Sequence, residues 1–305
     1  MHARIKIEDA LKHLHDCDYR SRSASLESIS GTLACDLESS ANLIETLRSK
    51  HLIQSDSPTI TLTEKGREYA REVIRAHRLY ETYLATKTGL AESEWHRQAE
   101  KMEHLLSDSQ VDNIAKQLGY PRYDPHGDPI PTADGELPPI TDRSLVEFAA
   151  GWEGRISHLE DEPHSLYQQL VDSGLAPGMR LQVLKPHKNK LRINLEGREI
   201  NLSHSAAANL MVSPFAPGDS FDTSIRRLSD LKLNQSASIA ELSPVCRGAE
   251  RNRLLDLGLV PGTQVTLILT SPAGGPSAYR IRGASIALRR EQADKILIRE
   301  TGGIQ

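Results

Sequence analysis

His77 and Glu81 stand four residues apart, and His96, Glu100, Glu103 and His104 follow one another at offsets of four, seven and eight from the first. On an α-helix those spacings place each set along one face. Imidazoles and carboxylates gathered this way, with no thiolate among them, suit a divalent cation. Oxygen donors favour harder ions such as Mn2+ or Fe2+, while imidazole also admits Zn2+, Co2+ and Ni2+. A solvated helix face carrying Glu, His and Lys pairs would show the same run. The apolar stripe of the second segment is Trp95, Ala99, Met102 and Leu106, and the candidate ligands are displaced from it by one residue, about 100° around the axis. They therefore flank the buried seam. Two such helices packed antiparallel would bring acids and imidazoles together at the edge of a core.

Other chemistries find less support. Neither G-x-x-x-x-G-K-[ST] nor G-x-G-x-x-G occurs, so the usual phosphate-cradling loops are absent. A shell filled by carboxylates and imidazoles leaves no obvious open position or general base for hydrolysis. The chain reads as a non-enzyme. Cys17, Cys35 and Cys246 are scattered without C-x-x-C spacing, which argues against a disulfide framework or a zinc ribbon. No apolar run approaches the roughly 18 residues of a membrane span. The opening MHARIKIEDALKHL lacks the apolar core of a secretory leader, and the expected location is the cytoplasm. The net charge of −4 gives no global basic footprint, so any contact with nucleic acid must come from a local module.

The elements that would position the cluster can be read outward from it. Residues 4–16 place Ile5, Ala10, Leu11 and Leu14 at approximately helical spacing, LESISGTLA forms a second short helix, and ESSANLIETLRSKHLI carries Leu43, Ile44, Leu47 and Leu52 on one face. QSDSPTITLTEKG follows as a short hairpin. Three helices and a hairpin form the order of a winged helix-turn-helix, whose third helix would enter the major groove. A small helical domain that binds no nucleic acid has the same order. Thr63 is an N-cap for a long helix running to about Leu84, a second helix spans AESEWHRQAEKMEHLLSD and a third SQVDNIAKQLG. The Pro/Gly-rich YPRYDPHGDPIPTADGELPP cannot be regular structure.

The C-terminal half repeats itself. LVDSGLAPGMRLQVL (170–184) aligns with LLDLGLVPGTQVTLI (254–268), and LEGREINLSHSAAANLMV (195–212) with IRGASIALRREQADKILI (281–298). Gly174 and Gly258 suit the residue after a helix, where positive φ favours glycine. About five short strands per copy would close on themselves to hide their edges, giving two small SH3-like barrels. SPFAPGDSFDTS between them is flexible in composition. The expected class is α+β multidomain: a winged head over 1–63, a helical metal-binding and dimerisation domain over 64–138, and barrels over 139–216 and 224–300.

LTEKGREYAREVIRAHRLYETYLATKTGL (62–90), WHRQAEKMEHLLSD (95–108) and PHGDPIP (125–131) closely resemble the iron- and manganese-dependent repressors of the diphtheria toxin repressor family. The two C-terminal repeats resemble that family's FeoA-like SH3 domains. The resemblance covers most of the chain and is only architectural over 1–60. It implies a primary regulatory site of Asp9, Glu100, Glu103 and His104, and an ancillary site of His77, Glu81 and His96. Carboxylates at positions 9 and 100, where the iron regulators carry sulfur, would harden the site toward Mn2+. Lys12 stands where the manganese regulators carry a ligand carboxylate. Pro163 and Leu166 stand where the family completes its ancillary site, with Glu162 or His164 as substitutes. The resemblance further implies a homodimer on a palindromic operator, with Ser39, Ser40, Asn42, Arg48 and Lys50 on the DNA side, helped by Arg20 and Arg22. Asp36 and Glu38 depart from this at the start of the recognition helix. They leave a second reading open, a metal-responsive adaptor that has lost operator binding and acts through protein contacts of its barrels.

Overall fold

Helix α1 (His2–Tyr19) turns Ile7, Ala10, Leu11 and Leu14 into the first core, whereas Ile5 is only partly buried. A computed structural model describes residues 2–56, 59–139, 141–160, 164–185, 190–271 and 275–300. It divides into two units, one of Met1–Ala85, Leu90–Asp124 and Asp128–Pro139, the other of Thr86–Gly89, Pro125–Gly127 and Ile140–Gln305.

In the first unit α2 (Leu26–Thr32) starts at Ser25, whose hydroxyl accepts from the Ser28 amide at 3.2 Å. Helix α3 (Leu37–Ser49) starts at Asp36, whose carboxylate accepts from the Ser39 amide at 2.7 Å. Both caps satisfy amides that a helix start leaves without partners. Strands β1 (Ile53–Asp56) and β2 (Thr59–Leu62) pair antiparallel, with Ile53 opposite Leu62. Ile29, Leu43, Ile44, Leu47, Leu52 and Ile60 join the α1 face in one core. The order helix, helix, helix, hairpin is that of the expected winged head.

Thr63 caps α4 (Glu64–Lys87), its Oγ1 accepting from the Gly66 amide at 3.0 Å. The next helix is shorter than expected. One 3-10 turn over Glu92–Glu94 leads into α5 (Trp95–Glu103), and the chain leaves the helix at His104. Ser107 then opens α6 (Asp108–Gln117) with a capping box closed by Gln110. Trp95 fixes the near end of α5 by donating its indole N–H to the Leu90 carbonyl at 3.0 Å. Most of the Pro/Gly-rich stretch is irregular, as expected. Arg75 and Arg78 on α4 strap it down by donating to the carbonyls of Pro131 (3.0 Å) and Pro129 (2.5 Å).

The second unit holds the two repeats. The first comprises β3 (Arg143–Ser144), β4 (Glu153–Leu159), α7 (His164–Asp172), β5 (Arg180–Val183), β6 (Lys190–Leu195), β7 (Arg198–Ser203), α8 (His204–Ala208) and β8 (Leu210–Ser213). The second comprises β9 (Ile225–Arg227), β10 (Ser236–Leu242), α9 (Gly248–Asp256), β11 (Gln264–Leu269), β12 (Ser277–Ile281), β13 (Ala284–Leu288), α10 (Arg290–Ala293) and β14 (Ile296–Glu300). The sheet orders, β3-β8-β4-β5-β6-β7 and β9-β14-β10-β11-β12-β13, are the same topology twice. The irregularity also repeats, between Ile156 and His158 in one copy and Ile239 and Glu241 in the other. Gly174 and Gly258 carry φ of +76° and +86° just past α7 and α9, as a helix stop requires.

Each copy has six strands, one more than expected, curled around its own core. Among the described residues the ladders stay open at β3 and β7, and at β9 and β13, so the hydrogen-bonded ring is not completed. The connecting segment makes contacts of its own. Asp219 pairs with Arg155 at 2.7 Å, and Phe221 is buried.

Candidate metal centre

Two residues from α4 and two from α5 make the first cluster. One helical turn separates His77 from Glu81, so both project from the buried face of α4, where they are 6% and 1% exposed. Glu81 Oε1 lies 3.3 Å from His77 Nε2 and 3.1 Å from His96 Nδ1. The His77 and His96 rings meet edge to face at 4.9 Å. On the outer side of His96, Glu100 stands 3.4 Å from Nε2. The geometry thus groups Glu100 with His96.

Glu103 joins this cluster to a second one. Its carboxylate is buried, with Oε2 hydrogen-bonded to His77 Nδ1 and Oε1 3.4 Å from His104 Nε2. Asp9, from α1, approaches the same His104 nitrogen at 3.7 Å. His104 Nδ1 is taken by Glu8, a residue the sequence analysis did not single out. Glu8 is 1% exposed and also accepts from Arg4 Nε at 2.6 Å and from the Tyr69 hydroxyl. A signal for it existed. Glu8 lies between buried Ile7 and Leu11 on the inward arc of α1, where a carboxylate needs partners. Lys12, one turn further, places Nζ at 2.8 Å and 3.1 Å from the two Glu103 oxygens.

These neighbours set the protonation balance. Burial raises the Asp9 carboxyl; the Lys12 charge works against this, and the Glu103 charge adds to the rise. At Glu103 burial pulls upward, but the His77 hydrogen bond and Lys12 together hold the carboxyl below its ordinary value. His96, bonded by Glu100 and Glu81, is pushed up to about 10. For His77, burial and Lys12 favour the neutral ring, yet Glu81 and Glu103 leave it raised. Acids thus face His77, His96 and His104, with Lys12 paired to Glu103 and Arg4 paired to Glu8.

The donor sets fit a divalent ion. Ligand atoms of His77, Glu81 and His96, and again of Asp9, Glu103 and His104, lie within 4.8 Å of one another. Neighbouring donors 3.1–3.7 Å apart match the spacing of adjacent ligands on an ion bound at about 2.1 Å. Nitrogen and oxygen donors without sulfur suit Mn2+, Fe2+ or Zn2+. Of the substitutes expected for the ancillary site, Glu162 lies outside the described residues, as does Pro163, and His164 falls on α7 with Leu166.

On α3, Asn42 and Arg48 are exposed, as is Lys50 just past its end, and Ser39 is half-buried. Ser40, expected among the DNA contacts, faces inward instead. It is 0% exposed and its hydroxyl contacts Cys35 Sγ at 3.1 Å, because it precedes core residues Leu43 and Ile44 by three and four positions. Arg48 pairs with Glu45 at 2.6 Å.

Comparison with known proteins places the chain among relatives. Residues 63–132 match the family described as iron dependent repressor, metal binding and dimerisation domain. IdeR of Mycobacterium tuberculosis, an iron-dependent repressor, is 32% identical over 161 residues, spanning 48% of this chain and 70% of that protein. The chain belongs to the iron-dependent repressor family. Both C-terminal repeats, 143–214 and 226–300, match the FeoA domain. Among solved structures of this fold, a manganese-dependent transcriptional repressor in complex with manganese aligns with a TM-score of 0.63 at 28% identity, covering 68% of this chain and 100% of that one. A probable metal transport system membrane protein of Chlamydia trachomatis is 39% identical over 85 residues, but the chain spans only 19% of its length. Among the described residues no helix is long and apolar enough to cross a membrane.

Proposed function

We propose that this chain is a metal-dependent transcriptional repressor that responds to Mn2+ or Fe2+ and binds a palindromic operator as a homodimer. The observation that carries this reading is the meeting of Asp9 with Glu103 and His104. Asp9 belongs to α1, which packs in the winged head, while Glu103 ends α5 and His104 follows it, beside α4. A divalent cation bound there would supply positive charge where carboxylates from both elements converge. The chain's own residues do the rest. Glu103 belongs to one donor set and hydrogen-bonds to His77 of the other, Glu8 fixes the His104 ring, and α1 transmits its position to α3 through the shared apolar core. Carboxylate-rich donors favour Mn2+, with Zn2+ and Co2+ as further ions taken up in vitro. Cation binding changes the head only to the extent that it favours one arrangement over another.

On the DNA side, Ser39, Asn42, Arg48 and Lys50 line the accessible part of α3, and Asn42 has the donor and acceptor pair that reads adenine. Asp36 does not require the adaptor reading, because its carboxylate is committed to the Ser39 amide as a helix cap. Selection of binding sites from random duplexes at fixed salt, with Mn2+ and with chelator, tests the proposal. A palindromic consensus recovered with Mn2+ alone supports it. Equal duplex affinity in both arms overturns it.

A further inference from the structure

We propose that Lys12 is a tethered cation built into the metal centre, which neutralises Glu103 in the metal-free protein and must be displaced from it when a divalent ion uses that carboxylate. This rests on the metal-binding reading above and adds the element that sets its threshold.

The geometry is specific. Lys12 Nζ straddles both Glu103 oxygens, at 2.8 Å and 3.1 Å. Those same oxygens face His77 on one side and His104 on the other. The ammonium therefore sits against a carboxylate that belongs to one donor set and is hydrogen-bonded to His77 of the other. Its charge is felt at Asp9, Glu100, Glu103 and His77, that is, across both. A buried carboxylate with no cation is costly, and five acids converge here: Glu8, Asp9, Glu81, Glu100 and Glu103. Arg4 meets Glu8 at the far edge, and Lys12 meets Glu103 at the centre. Lys12 is also on α1, so the ion pair ties α1 to α5 even without metal.

A divalent ion binding Asp9, Glu103 and His104 competes with this ammonium for Glu103. The lysine stem is partly exposed, 24% at the side chain, so the head can swing to solvent once displaced. Lys12 thus weakens metal binding while stabilising the metal-free state. A metal-free protein already closed by its own cation needs a higher ion concentration to change.

Calorimetric titration with Mn2+, paired with thermal melting of the metal-free protein, tests this on the full chain. Lys12→Met keeps the stem and removes the charge. It should bind Mn2+ about tenfold or more tightly than wild type and melt at a lower temperature without metal. Lys12→Arg keeps the charge and should retain affinity and melting temperature close to wild type. Wild-type Mn2+ affinity in Lys12→Met overturns the inference while leaving metal binding intact. Absence of Mn2+ binding in wild type and Lys12→Met alike overturns both this inference and the metal-dependent reading.

Discussion

Glu8 holds the Nδ1 of His104, which turns Nε2 toward Glu103 at 3.4 Å and Asp9 at 3.7 Å. A carboxylate behind a ligating imidazole fixes ring orientation and tautomer and raises the basicity of the nitrogen in front. Glu8→Gln keeps the size and can still accept a hydrogen bond, but removes the charge. The expected outcome is a Mn2+ affinity lowered by roughly 10-fold to 100-fold, measured by calorimetry, with every proposed ligand still present. Unchanged affinity would show that Glu8 serves only the Arg4 and Tyr69 contacts.

His104→Ala removes a ligand without stranding a buried charge, since Glu8 keeps Arg4 and Tyr69 as partners. It should lose the metal response of duplex binding while its far-UV circular dichroism matches wild type. Glu103→Ala should lose the response too, and it should also destabilise the metal-free protein, because Lys12 loses its carboxylate and His77 the acceptor at Nδ1. A His104→Ala variant that still shifts its operator with Mn2+ would refute the assignment of this centre.

Local rules carried the reading of the head and helical elements a long way. Apolar periodicity marks α3 and α4, Thr63 and Gly258 mark where helices begin and end, and the internal repeat anticipates two sheets of one topology. The details that escaped depend on rotation and on distant partners. Two acids stand side by side at positions 8 and 9, and Glu8 is the one enclosed, 1% exposed, among Arg4, Tyr69 and His104. The contact between Lys12 and Glu103 spans 91 positions, beyond any local pattern. Ser40 was legible in principle, because its spacing to Leu43 and Ile44 places it on the core face, but a serine there reads as polar surface until its contact with Cys35 is seen.

Gly66 tests the joint between the hairpin and α4. Inside a helix, alanine normally improves on glycine by about 1 kcal/mol. Here a Cβ would fall 1.9 Å from the Leu52 carbonyl oxygen, a backbone atom that cannot turn aside. The sign should therefore reverse, with Gly66→Ala destabilising by about 1–3 kcal/mol in urea unfolding. A neutral or stabilising result would mean that the hairpin does not seat this closely on α4.

His15 supplies a pH dependence on the inner side of α1. It is 6% exposed, and burial, reinforced by the charges of Arg78 and Arg71, lowers its pKa to about 4. Above the unfolded value of about 6.5 both states hold a neutral ring, and the site adds no pH dependence. Between about 6.5 and 4 the unfolded chain takes up a proton that the folded chain refuses, so stability falls as pH drops through that window. The loss approaches about 3 kcal/mol by pH 4. Other imidazoles titrate too, which makes the difference between wild type and His15→Gln the informative quantity. Without the ring, the slope of unfolding free energy against pH should flatten across this window, measured by urea denaturation in chelator. Parallel slopes for the two proteins would show that His15 reaches solvent and gains its proton in the folded state as easily as in the unfolded one.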